Sequence, residues 1–208
     1  MSRTLRIYLR RFALNESGAF LVEFAVVVPI MLFLLFGLID FARLGLANVM
    51  ADKATAKAVR MAVVRPVVCP GVPRVVNRGL LGQLSLDQRN GTSCTARTGL
   101  CEDSGTISCT GSLSNATAAD IWAQVRPMMP TGAGPENLRF SYGFDASLNR
   151  VGTAYAPVVT VDIVDLTFDF ISPLGALADF AAGSSGSTLG QSYTFASMSA
   201  SLPSEDLR

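Results

Sequence analysis

The feature that most constrains this chain is an unbroken apolar run close to its N-terminus. From Ala19 to Ile39 the sequence is AFLVEFAVVVPIMLFLLFGLI, which contains 21 residues and a single charge, that of Glu23. At 1.5 Å per residue, a helix of this length spans about 31 Å, the thickness of the hydrocarbon core of a bilayer. Core helices of soluble proteins rarely run this long without polar residues, so the run predicts a transmembrane helix.

The residues on either side of the run predict its orientation. The first 18 residues carry four arginines and one acid, Glu16, and a basic flank of this kind stays in the cytoplasm. Lys53, Lys57 and Arg60 lie on the far side, but a dozen or more residues beyond the run, where flanking charge has less influence. A removable secretory signal usually has about 7–15 apolar residues, so we expect this longer span to stay in the protein.

The composition agrees with a membrane protein and argues against several functions. Half of the 208 residues are hydrophobic and 16% are charged, against roughly 25% charged in typical soluble domains. The net charge of +1 provides no basic field for nucleic acid. The sequence has no histidine, which excludes a Ser-His-Asp triad, a Cys-His pair and any His-ligated metal site. We expect no cofactor, no metal, no nucleic-acid partner and no enzymatic activity.

Glu23 is the unusual residue of the apolar run. An acid inside a membrane span costs free energy, up to about 3 kcal/mol at the centre. One explanation is that Glu23, one turn inside the span, reaches the cytoplasmic headgroups. A second begins with Gly18, which lies directly before the span and five residues before Glu23. Cleavage after Gly18 would create an amine on Ala19, and this amine could neutralise Glu23 within one helix or between neighbouring helices.

This segment resembles the G/xxxxE processing site of type IV prepilins. The residues GAFLVEF from Gly18 to Phe24 have the GxxxxEF form of pseudopilins of tight-adherence (Tad/Flp) pili, and the run from Glu16 to Arg43 is similar to the TadE-like domain. The resemblance extends over roughly residues 18–60. The positions that carry it are Gly18, Val22, Glu23, Phe24, Pro29, Gly37 and Asp40. Many TadE-like sequences have Glu at the position of Asp40, so this difference keeps the charge.

The resemblance implies a minor pilin or pseudopilin that a membrane aspartic prepilin peptidase cuts between Gly18 and Ala19. The implied partners are other pilin and pseudopilin subunits, the pilus assembly machinery, the peptidase and the membrane. The implied location is the bacterial inner membrane, with a single pass and a periplasmic C-terminal domain; entry into the pilus is left open. The alternative function is that of an uncleaved single-pass protein with an outer ligand-binding or sensor domain.

Beyond the span, the helix is expected to continue as an extramembrane stem over residues 40–65. Alanine, a strong helix former, is plentiful there, and Pro66 should end the helix, whereas Pro29 should kink it. Residues spaced by three and four form one face of the stem: Leu44, Ala47, Ala51, Ala54, Ala58 and Met61. This face can pack on the chain's own outer domain or on other subunits, and the sequence favours neither.

Four cysteines follow the stem, on the side of the membrane where disulfides persist: Cys69, Cys94, Cys101 and Cys109. Two bridges are expected, and four cysteines allow three connectivities. We favour Cys94–Cys101 with Cys69–Cys109, because Gly99 suits a tight turn that closes the short loop. A zinc site is disfavoured because the sequence has neither a CxxC motif nor a histidine.

Residues 66–208 are predicted to form an α+β domain, so the fold class is α+β: a long N-terminal transmembrane and stem helix, then a small antiparallel β-sheet domain with disulfide-stapled loops. A helix is expected over 115–128, with Trp122 in the core. Strand patterns cover 138–142, 158–170 and 193–202, and the second slips in phase at residues 164–165, which predicts a bulge or a break.

The remaining segments are expected to be less regular. Residues 70–113 should form stapled loops with little regular structure, 170–182 a short apolar helix and 183–190 a flexible loop. Asp162, Asp165 and Asp169 are close in sequence, but strand alternation leaves Asp162 out of phase with the other two. We therefore expect solvent-facing acids there and no metal site.

Overall fold

A computed structural model describes residues 18–80, 89–171, 192–205 and 207 of the chain. The chain divides into two compact units, Met1–Arg43 with Phe170–Gln191, and Leu44–Asp169 with Ser192–Arg208. The helix predicted over 170–182 and the loop predicted over 183–190 lie outside the described residues, except for residues 170 and 171, which are not helical.

Helix α1 is the longest element and covers Ala19–Ala62, 44 residues in all. It contains Pro29 and remains helical through it. Its C-terminal part is rich in alanine, and the next proline after Pro29 is Pro66. The helix ends three residues earlier than the predicted residue 65, and a turn fills the gap. Pro66 disfavours the helical conformation at Arg65, the residue directly before it.

The first unit contains the N-terminal part of α1, and its large apolar side chains are exposed. Phe20 is 74% exposed and Leu38 is 73% exposed. Between residues 18 and 43, the described residues classed as buried are Gly37 and Asp40 alone. This part of the helix has almost no protein against it among the described residues.

In the second unit, the alanine face of α1 is buried in the domain that follows it. Ala51, Ala54 and Ala58 are completely buried. The sequence favoured neither of two partners for this face, and its C-terminal half packs on the chain's own domain. Small side chains permit this burial, because they let the axis of α1 lie close to the elements that pack against it.

Helix α2, Ala116–Val125, packs in the same core and is followed by a 3-10 turn over Arg126–Met128. Asn115 caps its N-terminus, because the side chain accepts a hydrogen bond from the Ala118 N–H at 3.0 Å. The apolar face of α2 is buried: Ala118, Ile121, Trp122 and Val125. The predicted core position of Trp122 is confirmed. Lys57 of α1 donates to the Gln124 carbonyl at 3.1 Å and joins the two helices.

The main sheet of the second unit has four antiparallel strands. They are β1 (Thr106–Thr110), β2 (Leu138–Gly143), β3 (Val158–Ile163) and, last in the chain, β6 (Met198–Pro203). Their order across the sheet is β1-β2-β3-β6. Alternate residues of β2 and β3 point into the core, where Phe140, Tyr142, Val159 and Val161 are completely buried. The α+β class and the antiparallel sheet are confirmed.

A second, two-stranded ribbon joins β4 (Thr167–Phe168) to β5 (Tyr193–Thr194). Between β3 and β4 the backbone of Asp165 has a φ of 52°, a left-handed conformation that interrupts a strand. The slip in phase predicted at residues 164–165 is therefore a break into a short second strand. After this break, the side chains of Leu166 and Phe168 are buried.

Strand β1 contradicts one expectation, since it lies within residues 70–113, where little regular structure was predicted. Its sequence TISCT is polar, and its residues alternate between exposed and half-buried. The partner strand β2 supplies the pairing, in the register Cys109 opposite Phe140. A polar edge strand of this kind depends on its neighbour for stability, so its local sequence gives a weak signal.

Candidate membrane-anchoring and assembly site

Helix α1 is the one helix among the described residues that is long and apolar enough to cross a membrane. Its best window has a mean hydropathy of 2.6, and 6% of that window is buried within the protein. A core helix of a soluble protein would be largely covered by its own chain. The low burial therefore agrees with a helix whose apolar side chains contact lipid or other subunits.

The residues of the proposed processing motif lie at the start of this helix and are exposed. Gly18 directly precedes α1, and a Cβ atom added to it would meet nothing within 4 Å among the described residues. Val22 and Phe24 are 65% and 57% exposed, and the rings of Phe20 and Phe24 stack with centroids 6.4 Å apart. Packing against the described residues thus gives no reason for a glycine at position 18.

Glu23 is exposed on the same turn of α1. Within the described part of the chain, the ion pairs join other residues, and none involves Glu23. Among the residues that the structure describes, Glu23 therefore meets neither a cation nor a buried polar group. A role for this carboxylate requires a group from outside the described chain, such as a headgroup, a neighbouring subunit or a newly formed amine.

Asp40 lies at the other end of the apolar run and has a different environment. Its side chain is 3% exposed, and its Oδ1 atom is 3.0 Å from the Arg43 Nη1. The same oxygen accepts a hydrogen bond from the backbone N–H of Ile171 at 3.4 Å. Gly37, one turn earlier, is also buried. The two motif positions at the C-terminal end of the run are therefore covered by the chain itself, and no local sequence pattern indicates this.

Two disulfides staple the second unit, Cys69–Cys109 and Cys94–Cys101. This is the connectivity favoured from the sequence. Gly99 has a φ of 74°, a conformation that glycine adopts readily, and it lies in the loop closed by the short bridge. The Cys69–Cys109 bridge joins the segment after α1 to strand β1. Among the described residues no cysteine is free.

The three aspartates of the 162–169 segment do not form a site. Asp165 and Asp169 are exposed, as expected, but the expectation that Asp162 faces solvent is wrong. Asp162 is 8% exposed, and its Oδ2 is 3.1 Å from the Arg139 Nε on the neighbouring strand. The partner strand places a cation opposite Asp162, which no local pattern reveals. No group of three metal-ligating side chains occurs among the described residues.

A small cavity of about 180 Å³ lies beside the stapled loops, next to Tyr155. Its lining also includes Asn77, Glu102 and Ser104, and the Ser104 hydroxyl donates to the Tyr155 hydroxyl at 3.0 Å. Burial raises the pKa of Tyr155, and the hydrogen bond from Ser104 opposes this effect. The cavity is smaller than the roughly 300–1,000 Å³ of typical ligand sites, and it gives little support to a ligand-binding function.

Comparison with known proteins adds one match. The family model of TadE-like proteins matches residues 18–60, the range over which the sequence resembles that family. Searches of curated proteins and of solved structures gave no significant match. The match covers the proposed processing motif, the apolar run and most of the stem, and the residues after Arg60 lie outside it. Residues 18–60 of this chain are thus a TadE-like segment, and they indicate a membrane protein associated with a Tad pilus.

Proposed function

We propose that this protein is a membrane-anchored, pilin-like structural subunit that acts in the assembly of a tight-adherence type IV pilus and is not an enzyme. The protein inserts once into the bacterial inner membrane, with its leader in the cytoplasm and residues 66–208 in the periplasm. A prepilin peptidase cuts between Gly18 and Ala19. The mature helices then pack beside those of other pilin or pseudopilin subunits, either within the machinery or in the pilus.

The observation that carries this proposal is the exposed motif at the start of α1. Gly18 has open space around it, so its small size serves no contact within the described chain. A peptidase that must fit the backbone into its active site requires such a small residue. Glu23 follows five residues later without an ion-pair partner in the described chain, in a run whose apolar side chains are exposed.

Cleavage is tested by intact-mass measurement of protein extracted from membranes of piliated cells. The mature chain should begin at Ala19 and contain 190 residues, the 208 of the full chain less the first 18. Gly18→Phe should abolish cleavage. Gly45→Phe is the matched control, since a Cβ atom at Gly45 also meets nothing within 4 Å, and it should be cleaved normally. A wild-type protein that retains Met1 would contradict the proposal and favour the uncleaved sensor.

The role of Glu23 is tested by Glu23→Gln, which keeps the size and removes the charge. If the Glu23 carboxylate pairs with the Ala19 amine of a neighbour, the substitution leaves that amine unpaired in an apolar setting. Loss of one partner of a buried pair costs about 3–5 kcal/mol. Cleavage should persist, because it depends on Gly18, whereas assembly should fail.

The measurement compares cleaved protein, sheared surface filaments and co-purified pilus subunits between wild type and Glu23→Gln. Glu23→Asp is the control that retains the charge, and it should keep part of the assembly. Normal filaments and normal co-purification for Glu23→Gln would show that Glu23 is not an assembly residue. In that case the better explanation is that the Glu23 carboxylate reaches the lipid headgroups and that the helix is only a membrane anchor.

A further inference from the structure

The environment of Asp40 locates a second part of the chain at the end of the membrane span. Asp40 is the first residue after the apolar run that ends at Ile39. Its carboxylate accepts the backbone N–H of Ile171 at 3.4 Å, so the backbone of Ile171 lies within a side chain's length of that point. The headgroup region extends about 5–7 Å beyond the hydrocarbon core on each side. Ile171 is thereby held at the depth of the outer interface.

The chemistry at this point suits a lipid surface. The charge of Asp40 is shielded, since its side chain is 3% exposed and its Oδ1 is 3.0 Å from Arg43. The Arg43 side chain remains 37% exposed, at the level where lipid phosphates lie. Because Arg43 lies beside it, the Asp40 carboxylate can lie at the edge of the hydrocarbon core at a lower cost than an unpaired charge would have there.

Ile171 itself is a large aliphatic side chain that is 76% exposed. In the helix next to Asp40, Leu38 and Phe41 are 73% and 65% exposed, so the apolar surface of the span continues at this level. The hydrogen bond fixes the backbone of Ile171 while its aliphatic side chain stays exposed. Moving such a side chain from water into an apolar medium lowers the free energy.

We propose that Ile171 forms a second membrane contact, in which Asp40 positions the backbone so that the side chain of Ile171 enters the outer interface of the bilayer that α1 spans. The partner is the lipid surface. Asp40 is a positioning residue in this arrangement and does not itself contact lipid. The inference rests on α1 as a membrane span and does not depend on pilus assembly.

The depth of residue 171 can be measured by tryptophan fluorescence in vesicles of brominated phosphatidylcholine. Trp122 is the one tryptophan of the chain, so Trp122→Phe provides a silent background for Ile171→Trp. Leu113→Trp in the same background is the matched control, because Leu113 is also exposed, at 64%, in the loop between β1 and α2. Each variant is first tested for free thiols, and their absence shows that the stapled domain has folded.

Bromine near the headgroup end of the acyl chains should quench the tryptophan of Ile171→Trp more than bromine near the bilayer centre does. The emission of Ile171→Trp should also lie to the blue of that of Leu113→Trp. Adding Asp40→Ala to Ile171→Trp should reduce the quenching towards the control, and Asp40→Glu should restore it.

Equal quenching and equal emission for Ile171→Trp and Leu113→Trp would overturn the proposal. Quenching of Ile171→Trp that is unchanged by Asp40→Ala would overturn the positioning role of Asp40. Because the assay contains no pilus machinery, its failure is distinct from failure of the proposed function.

Discussion

The two parts of α1 belong to one continuous helix, but the side chains of one part are exposed and one face of the other part is buried. Over residues 20–43 the side chains are large and apolar, and nearly all are exposed. Over residues 51–62 one face is built largely from alanine and is buried, with Ala51, Ala54 and Ala58 completely covered. The more hydrophobic part of the helix is therefore the less buried one.

This contrast shows that hydrophobicity alone does not determine burial within a chain. In a membrane, lipid tails are as apolar as leucine, so large side chains need no protein against them. In the second unit, water is the alternative to burial, and small side chains allow the helix to lie close to its neighbours. If the contrast is correct, substitutions in the second part should change the stability of the domain, whereas those in the first part should not.

The largest expected loss of stability comes from removal of the Cys69–Cys109 bridge by a double substitution to alanine. The bridge closes a loop with a separation of 40 residues, and chain entropy predicts a cost of about 4 kcal/mol. The Cys94–Cys101 bridge closes a loop with a separation of 7 residues, and its removal should cost about 2.4 kcal/mol. Denaturant unfolding of the full chain in detergent, followed by Trp122 fluorescence, measures both. A larger loss for the shorter loop would contradict the entropic account.

Overpacking the alanine face should have the next largest effect. Ala54 is 0% exposed, so Ala54→Leu forces added methylene groups into a filled interface at a cost of about 2–3 kcal/mol. Ala42→Leu is the control, because Ala42 is exposed on the same helix. The unfolding midpoint reported by Trp122 should fall for Ala54→Leu and stay constant for Ala42→Leu. Equal midpoints would show that the helix does not pack tightly on the domain.

Tyr142 tests how the segment after α1 is held to the sheet. Its hydroxyl accepts a hydrogen bond from the Val68 N–H at 3.0 Å, and Tyr142→Phe leaves that donor without its partner, at a cost of about 1–2 kcal/mol. Stability measured at neutral pH should fall by this amount while the cooperativity of unfolding is retained. No change at all would indicate that water replaces the hydroxyl at Val68.

Tyr142 also predicts how the stability of the fold depends on pH. Burial raises the pKa of Tyr142 above its ordinary value of 10.0, although the hydrogen bond from Val68 opposes this effect. The folded state therefore holds the Tyr142 proton more tightly than the unfolded state does. The resulting contribution to stability is complete at pH values below the pKa of Tyr142 in the unfolded state, and it is lost as the pH rises through the pKa in the folded state. Tyr142→Phe should therefore flatten the alkaline loss of stability. An equally steep loss in the variant would assign it to other groups.

The smallest effect is expected in the exposed part of the helix. Leu34 is 66% exposed, so Leu34→Ala should change the unfolding of the second unit by less than about 0.5 kcal/mol. Membrane insertion should also persist, since the run remains long and apolar. A large shift in the Trp122 transition would show that the first part of α1 supports the domain, and the contrast between the two parts would then fail.

Much of the architecture was predictable from short-range patterns. The long apolar run and the alanine-rich stem predicted α1, the alternation of 138–142 predicted β2, and the slip at residues 164–165 predicted a bulge or a break after β3. The apolar pattern of residues 115–128 predicted α2, and the structure shows Asn115 as its N-cap. These features were recoverable because their signals come from residues that are neighbours in sequence.

Three features were not predictable for the opposite reason. Strand β1 has a polar sequence and depends on pairing with β2. Asp162 is buried because Arg139 lies beside it on the adjacent strand. Asp40 is covered and bound to the backbone of Ile171, 131 residues away in sequence. Each depends on a partner that the local pattern does not identify.

By itself, the sequence determined the apolar span, the TadE-like motif at its edge and the α+β class, because composition, periodicity and motif spacing are properties of contiguous residues. Only the tertiary structure decided which face of α1 is buried, which strand pairs with Thr106–Thr110, and what the Asp40 carboxylate binds. The physical reason is that a buried charge, a polar edge strand and an alanine face are stable only when a distant segment satisfies their hydrogen bonds or covers their surface.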